Sequence, residues 1–298
     1  MEISKKREKP VPVKKELVPG VVLGLPSLGK DYEGEAHENR FHMRAPLVAE
    51  VEFFAELTPE NYENSLTEIL RALIASPQID PSMLTDGDRT FLYLWVRAQI
   101  HPSYHLTVTC RMCGKVHPEY PYQISSIPLK PVPAGYEGPK TLTLPISGEK
   151  ASFRMRRGAD EDAVSVLKEA GVKKFTAVNC VTLHRVGDET FERDPFAKAE
   201  WFRSLAVGDA MHVHELNKWL QHGPEFSACP FVCPTCNRES KFVLPFRPEF
   251  FFPTVPFRGV FGDAVDGSDP ESGVGGSEHE GAGGDGDSEV PVVEDASV

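Results

Sequence analysis

At 298 residues, 40% hydrophobic and 26% charged, the chain has the composition of a globular protein with room for one large domain or two smaller ones. The net charge of −12 is unevenly placed: 11 acidic residues fall between Gly262 and Val298 without a Lys or Arg, so the rest sums to about −1. That near-neutral body argues against nucleic-acid binding, which needs a concentrated basic surface, and no apolar run of about 18 residues is present to span a bilayer.

In chain order, residues 1–20 carry six Lys or Arg and read as a flexible basic arm. A Pro/Gly-punctuated segment follows, Leu25-Pro-Ser-Leu-Gly29 with Tyr32 behind it. Met43 to Leu57 reads as a strand and then a short helix. Thr58 is a helix N-cap with Pro59 in the first helical position. Behind it Tyr62, Leu66, Ile69, Leu70 and Leu73 recur on one helical face until Pro77. A second helix begins after Thr85, with Asp86 and Asp88 in its first turn. It is apolar nearly all round, hence buried, and stops at His101-Pro102. From Tyr104 the period becomes two, a strand that delivers Cys110.

The Pro-rich stretch 118–139 reads as an irregular crossing segment. Thr141–Pro145 and Ser152–Arg156 form a hairpin around Gly148. Asp160 is expected to cap a helix running through Ala170 and closed by Gly171. Helical spacing resumes at Phe175, Val178 and Val181, and Gly187-Asp188 makes a turn. Helices over 195–206 and 209–221 precede a strand from Phe226. Phe250, Phe251, Phe252 and Pro253 form an aromatic cluster, a candidate partner-binding surface. The domain boundaries that follow are 1–20 for the arm, 21–258 for the body and 259–298 for an acidic tail too polar to fold.

Two motifs carry the chemistry. Cys110-Arg-Met-Cys113 and Cys233-Pro-Thr-Cys236 are Cys-x-x-Cys turns, each between strand-like runs, and together they supply the four thiolates of a structural zinc. The first residues are charged and lack the apolar stretch of a secretory signal. In the reducing compartment this implies, paired Cys-x-x-Cys motifs favour metal over disulfides. The loop of 119 residues between the knuckles costs roughly 4 kcal/mol to close, against about 10–16 kcal/mol apparent for structural zinc in small peptides. Cys229 and His117 are alternative ligands; Cys236 is preferred because only the Cys233/Cys236 pair mirrors the first knuckle. Cys180, on an apolar helical face, reads as core.

The histidines do not make this zinc catalytic. His212-x-His214-Glu215 departs from the deaminase pattern, in which Glu follows His after one residue and Pro precedes Cys-x-x-Cys; here Glu215 directly follows His214 and Val232 precedes Cys233. Nor is His-Glu-x-x-His completed. A binding protein and not an enzyme is the expectation. The rival readings are a zinc-ribbon nucleic-acid module, with Arg111, Lys115 and Arg238 beside the knuckles, and a zinc hydrolase or deaminase.

Leu84-Thr-Asp-Gly87-Asp88 and Leu205-Ala-Val-Gly208-Asp209 share Leu-x-x-Gly-Asp, and each is followed by a helix, a strand and a knuckle. The fold expected is therefore α+β but mainly helical. Two pseudo-repeated helix–helix–strand–knuckle halves would be joined by a split four-cysteine zinc ribbon, with disordered termini.

These motifs, in this order, resemble the baseplate protein family of T4-like bacteriophages. The match runs from Leu25-Pro-Ser-Leu-Gly29 and Tyr32 through Leu84, Asp88, Arg97, the first Cys-x-x-Cys-Gly, Leu205 and Asp209. It ends at the second Cys-x-x-Cys and the run Phe251, Phe252 and Pro253, covering roughly 20–255. The resemblance implies a hub subunit or hub-assembly factor that binds other baseplate or hub proteins, with self-association a further expectation. It would work in the host cytoplasm during assembly, or in the tail baseplate.

Overall fold

A computed structural model describes residues 20–48, 50, 62–191 and 194–245. The basic arm, the start of the first helix, the Phe250–Pro253 cluster and the acidic tail lie outside the described residues. Among the described residues six α-helices occur: α1 (Tyr62–Leu73), α2 (Asp86–Ile100), α3 (Gly158–Glu169), α4 (Lys174–Cys180), α5 (Pro195–Ser204) and α6 (Val207–Leu220).

The strands form small antiparallel sheets. β1 (Gly20–Leu23), β2 (Phe41–Arg44) and β3 (Ile74–Ser76) make one. β7 (Lys140–Thr143), β8 (Lys150–Phe153), β9 (Leu183–Val186) and β10 (Glu189–Thr190) make another, in the order β10-β9-β8-β7. Two-stranded ribbons pair β4 (Ser103–Thr109) with β5 (Val116–Gln123), and β12 (Cys229–Val232) with β13 (Glu239–Phe242). β6 (Leu129–Lys130) pairs β11 (Gly223–Pro224).

This corrects the mainly helical expectation. At 40% helix and 26% strand the fold is mixed α+β. Strands of two to four residues, such as β6 and β9, contain too few alternations to reveal a period of two. The Pro-rich crossing segment also begins as a strand: Pro121 pairs with His105. Pro118 and Glu119 sit in a bulge where the register slips between Leu106 and Val108, a place in a ladder that tolerates proline.

The repeating unit opens earlier than helix–helix–strand–knuckle. Leu25-Pro26 and Gly29 recur 119 residues on as Leu144-Pro145 and Gly148, each between the first two strands of a sheet. The turns are held by the Leu-x-x-Gly-Asp aspartates. Asp88 Oδ1 accepts the Ser27 N–H at 2.9 Å, and Asp209 accepts the N–H groups of Ile146 and Ser147 at 2.8 and 3.0 Å.

A second device follows each second strand. Arg154 donates both guanidinium arms to Asp160 (2.7 and 2.8 Å) and also bonds the Met155 carbonyl. Arg44 does the same to Glu50 and the Ala45 carbonyl. Each acid also accepts a backbone N–H three residues upstream, Arg157 or Leu47, at 2.8 Å. Asp160 is thus the third helical residue of α3, reaching back to the N-cap Arg157, and not the cap expected from sequence.

Each half has its own core. Leu25, Phe41, Met43, Leu70 and Leu92 build the first, and Leu144, Phe153, Met155, Leu183 and Val213 the second. Burying side chains of this size contributes about 1.5–3 kcal/mol apiece before entropy. Both cysteine ribbons lean on the first core, through Tyr122 and Tyr104 on one side and Cys229, Phe226 and Phe242 on the other. The fully buried Arg97 ties α2 to the ribbon by donating to the carbonyls of His101 and Ser103. Burial holds that guanidinium down to about 10.

Candidate metal centre

The two ribbons turn at their tips in the same way. After Cys110 the Gly114 N–H returns to the Cys110 carbonyl and the Cys110 N–H reaches the Lys115 carbonyl, both at 2.9 Å. After Cys233 the Asn237 N–H and the Arg238 carbonyl play those parts, at 2.9 and 3.1 Å. Such a turn needs a residue with positive φ, and Gly114 (72°) and Asn237 (52°) supply it; Gly and Asn are the residues that adopt it at least cost.

The tips bring four sulfurs together. Cys110, Cys113, Cys233 and Cys236 place all their Sγ atoms within 4.8 Å of one another. Cys110 lies 3.8 Å from Cys236, and Cys113 lies 3.8 Å from Cys233. A tetrahedral ion with metal–sulfur bonds of about 2.3 Å requires edges of about 3.8 Å. The four cysteines therefore form a cluster that can hold a metal ion, with ligands from two stretches about 120 residues apart in the chain.

The surroundings push the thiols in opposite directions. Cys110 and Cys233 are buried, Cys236 is half-buried and Cys113 is exposed. Behind them Phe231 packs edge-on to Tyr120 at 5.0 Å and tilted to His117 at 5.6 Å. Burial works to raise the Cys233 thiol. The backbone N–H groups of Cys236 and Thr235, with His117 and Cys110, outweigh it and bring Cys233 to about 6. Cys113 moves the other way, to about 11: the Lys115 N–H lowers it, but burial and the neighbouring sulfurs prevail. One thiolate thus discourages the next until a cation neutralises them, because like charges crowded together oppose ionisation.

The alternative ligands sort themselves. His117 Nε2 lies 3.2 Å from Cys233 Sγ; with Nε2 protonated it donates to a sulfur that still has its place in the four, an outer-shell role that steadies a thiolate. Cys229 is buried in the first core, with its thiol toward the Glu225 carbonyl. Cys180 is buried in the second core, and burial pushes its thiol up to about 12. His212 bonds the Gly208 carbonyl and His214 bonds Asn179 Oδ1. His117's contact with the sulfurs has a faint sequence signal, a histidine four residues past the knuckle. The Arg44–Glu50 and Arg154–Asp160 pairs had none that pattern reading registered.

No family model, curated protein or solved structure matches this chain. No described helix is long and apolar enough to cross a membrane.

Proposed function

We propose that this protein is a non-catalytic subunit or assembly factor of a bacteriophage tail-baseplate hub, stapled by one structural Zn²⁺ on Cys110, Cys113, Cys233 and Cys236. The observation that carries the non-catalytic part is the sulfur set. Four thiolates within 4.8 Å of one another, two pairs of them at the 3.8 Å tetrahedral edge, would fill a zinc coordination shell, whereas a catalytic zinc keeps one position for water or substrate. The ion's work is then to close the loop between two halves and hold the ribbons on the first core.

The baseplate part rests on the ordered motifs. Their residues are framework: Tyr32 and Ser27 bond Asp88, Arg97 anchors the α2–β4 corner, and Asp209 holds the second turn. Motifs that specify a backbone are what distant members of a structural family share. The partners are accordingly other baseplate or hub proteins, engaged by surface complementarity.

Two measurements test the reading. X-ray absorption on the purified chain is expected to count four sulfurs around one zinc; a shell containing a water oxygen would turn the site toward catalysis. A phage lacking the gene is expected to stop before hubs appear, and the tagged protein to retain hub subunits from infected cells. Normal tails from the deletion strain would remove the assembly role.

A further inference from the structure

One joint between the halves is a short antiparallel bridge. The Asp86 N–H donates to the Arg156 carbonyl at 2.9 Å and the Gly158 N–H to the Leu84 carbonyl at 3.0 Å, flanking Thr85 and Arg157. Both central residues are helix N-caps, Thr85 for α2 and Arg157 for α3. The edge of one half, residues 84–86, thus docks on the helix-start box of the other, residues 156–158.

The internal repeat supplies each partner of this joint a second time. Leu205 and Ala206 stand 121 residues after Leu84 and Thr85 with the same backbone. Leu84 has φ −66° and ψ 147° against −68° and 147° for Leu205; Thr85 has −64° and 151° against −60° and 148° for Ala206. The second box is Pro46-Leu47-Val48. There the Glu50 N–H returns to the Leu47 carbonyl at 3.0 Å, as the Asp160 N–H does to Arg157. The spare edge and the spare box do not bond each other, and the Leu205 carbonyl and the Val207 and Val48 N–H groups have no hydrogen-bond partner among the described residues. Leu84 and Thr85 are wholly buried, whereas Val207 is 80% and Val48 75% exposed, the two highest values among large apolar residues described.

We propose that residues 205–207 of one copy of this chain pair with residues 46–48 of a second copy, repeating between molecules the joint made once within each. The side chains at the matching positions differ as a set. Asp86 and Arg156, an ion pair at 3.0 Å, become Val207 and Pro46. Arg89 packs where a Cβ on residue 158 would lie 1.9 Å from its guanidinium, so that box needs Gly158. At the spare joint the bulk is reversed, with Ala210 in place of Arg89 and Val48 in place of Gly158. Thr85 and Arg157 become Ala206 and Leu47. Charged internal and apolar external versions do not substitute for each other, which keeps the two joints from exchanging partners. Because each copy offers one edge and one different box, the contact is head-to-tail and builds a ring or a filament. This proposal is independent of the metal and of the phage reading.

The test is light scattering and analytical ultracentrifugation of the full chain over a range of concentrations, with V207E and V48E. Val207 opens α6, where an acid is favourable, and unchanged circular dichroism checks the fold of both variants. The wild type is expected to associate with rising concentration and each variant to remain monomeric. Mixing the two variants restores one intact edge and one intact box, so assembly stops at the dimer. A wild type that stays monomeric, a variant that associates like the wild type, or a mixture that forms no dimer would each overturn the proposal.

Discussion

The two halves follow one backbone plan but spend their surfaces differently. In the first, the Leu25–Gly29 turn is covered: Ser27 is wholly buried, and its Asp88 clamp also receives the Tyr32 hydroxyl at 2.6 Å. In the second, the Leu144–Gly148 turn is open, with Ile146 68% exposed, while Asp209 makes the same kind of backbone bonds. Between Gly29 and Arg44 the first half runs nine residues longer than the second does between Gly148 and Arg154. That longer stretch carries Asp31, which accepts the Met155 N–H at 2.8 Å and so reaches the other half. What the halves share are devices that satisfy buried backbone groups; what differs are the faces left for neighbours.

The largest effect should come from the four-cysteine cluster, which joins stretches about 120 residues apart in the chain. On the proposed zinc reading, Cys233→Ser, or chelation of the wild type, is expected to reduce bound metal from one ion per chain to near none and to lower the melting temperature strongly. Structural zinc contributes of the order of 10 kcal/mol to small folds. Metal analysis beside a thermal melt reads both. An unchanged melt with the metal gone would mean that the halves hold together without it.

The two arginine–carboxylate pairs come next. Arg154 and Asp160 have side chains 7% and 6% exposed; Arg44 and Glu50 are at 5% and 14%. Removing one charge of such a buried pair strands the other, so Asp160→Asn should cost about 3–5 kcal/mol in denaturant titration, and Glu50→Gln less. Burial acts to raise the Glu50 carboxyl, but the Arg44 hydrogen bonds, the Leu47 N–H and the Arg44 charge hold it below the ordinary carboxylate value. A depressed acid stabilises the fold above its unfolded value and loses that contribution as pH falls through the folded one. The gap between wild type and Glu50→Gln should therefore be widest at neutral pH and close in acid.

Asp88 against Asp209 is the third contrast. Asp88→Ala would strand the Ser27 N–H inside the core and leave the Tyr32 hydroxyl to Thr85 alone, at about 1–3 kcal/mol. Asp209→Ala, beside an open turn that water can enter, should cost less in the same titration. Equal losses would mean that the exposed turn is as dependent on its clamp as the covered one.

The smallest effect compares the knuckles. A Cβ on Gly114 meets nothing within 4 Å, so Gly114→Ala is penalised by its positive φ alone, about 1 kcal/mol. Asn237→Gly, starting from a residue that already tolerates this conformation, should move stability by only a few tenths of a kcal/mol. Thermal melts of the two variants in the presence of added zinc separate the two.

Much of the framework was legible along the chain. Thr85, Asp86 and Asp88 announced α2, His101-Pro102 its end, and Cys-x-x-Cys the two tips, because caps and knuckles act over three or four residues. Of the short strands, β7 and β8 were legible through the turn at Gly148 between them, whereas β6, β9 and β10, at two to four residues, carry no period. Asp160 was misplaced as a cap because its reach back to Arg157 and across to Arg154 depends on a bulged strand, β8, that brings Arg154 to the helix start.

By itself the sequence determined the four sulfurs, the caps and the turn residues, all set by local spacing and by the φ values each residue type accepts. Only the tertiary structure decided that the sulfurs meet at 3.8 Å, that both ribbons lean on the first core, and that one Leu-x-x-Gly-Asp edge is buried while its twin stands open. Those are outcomes of packing between segments about 120 residues apart, where the contacts depend on three-dimensional fit and leave no period in the chain.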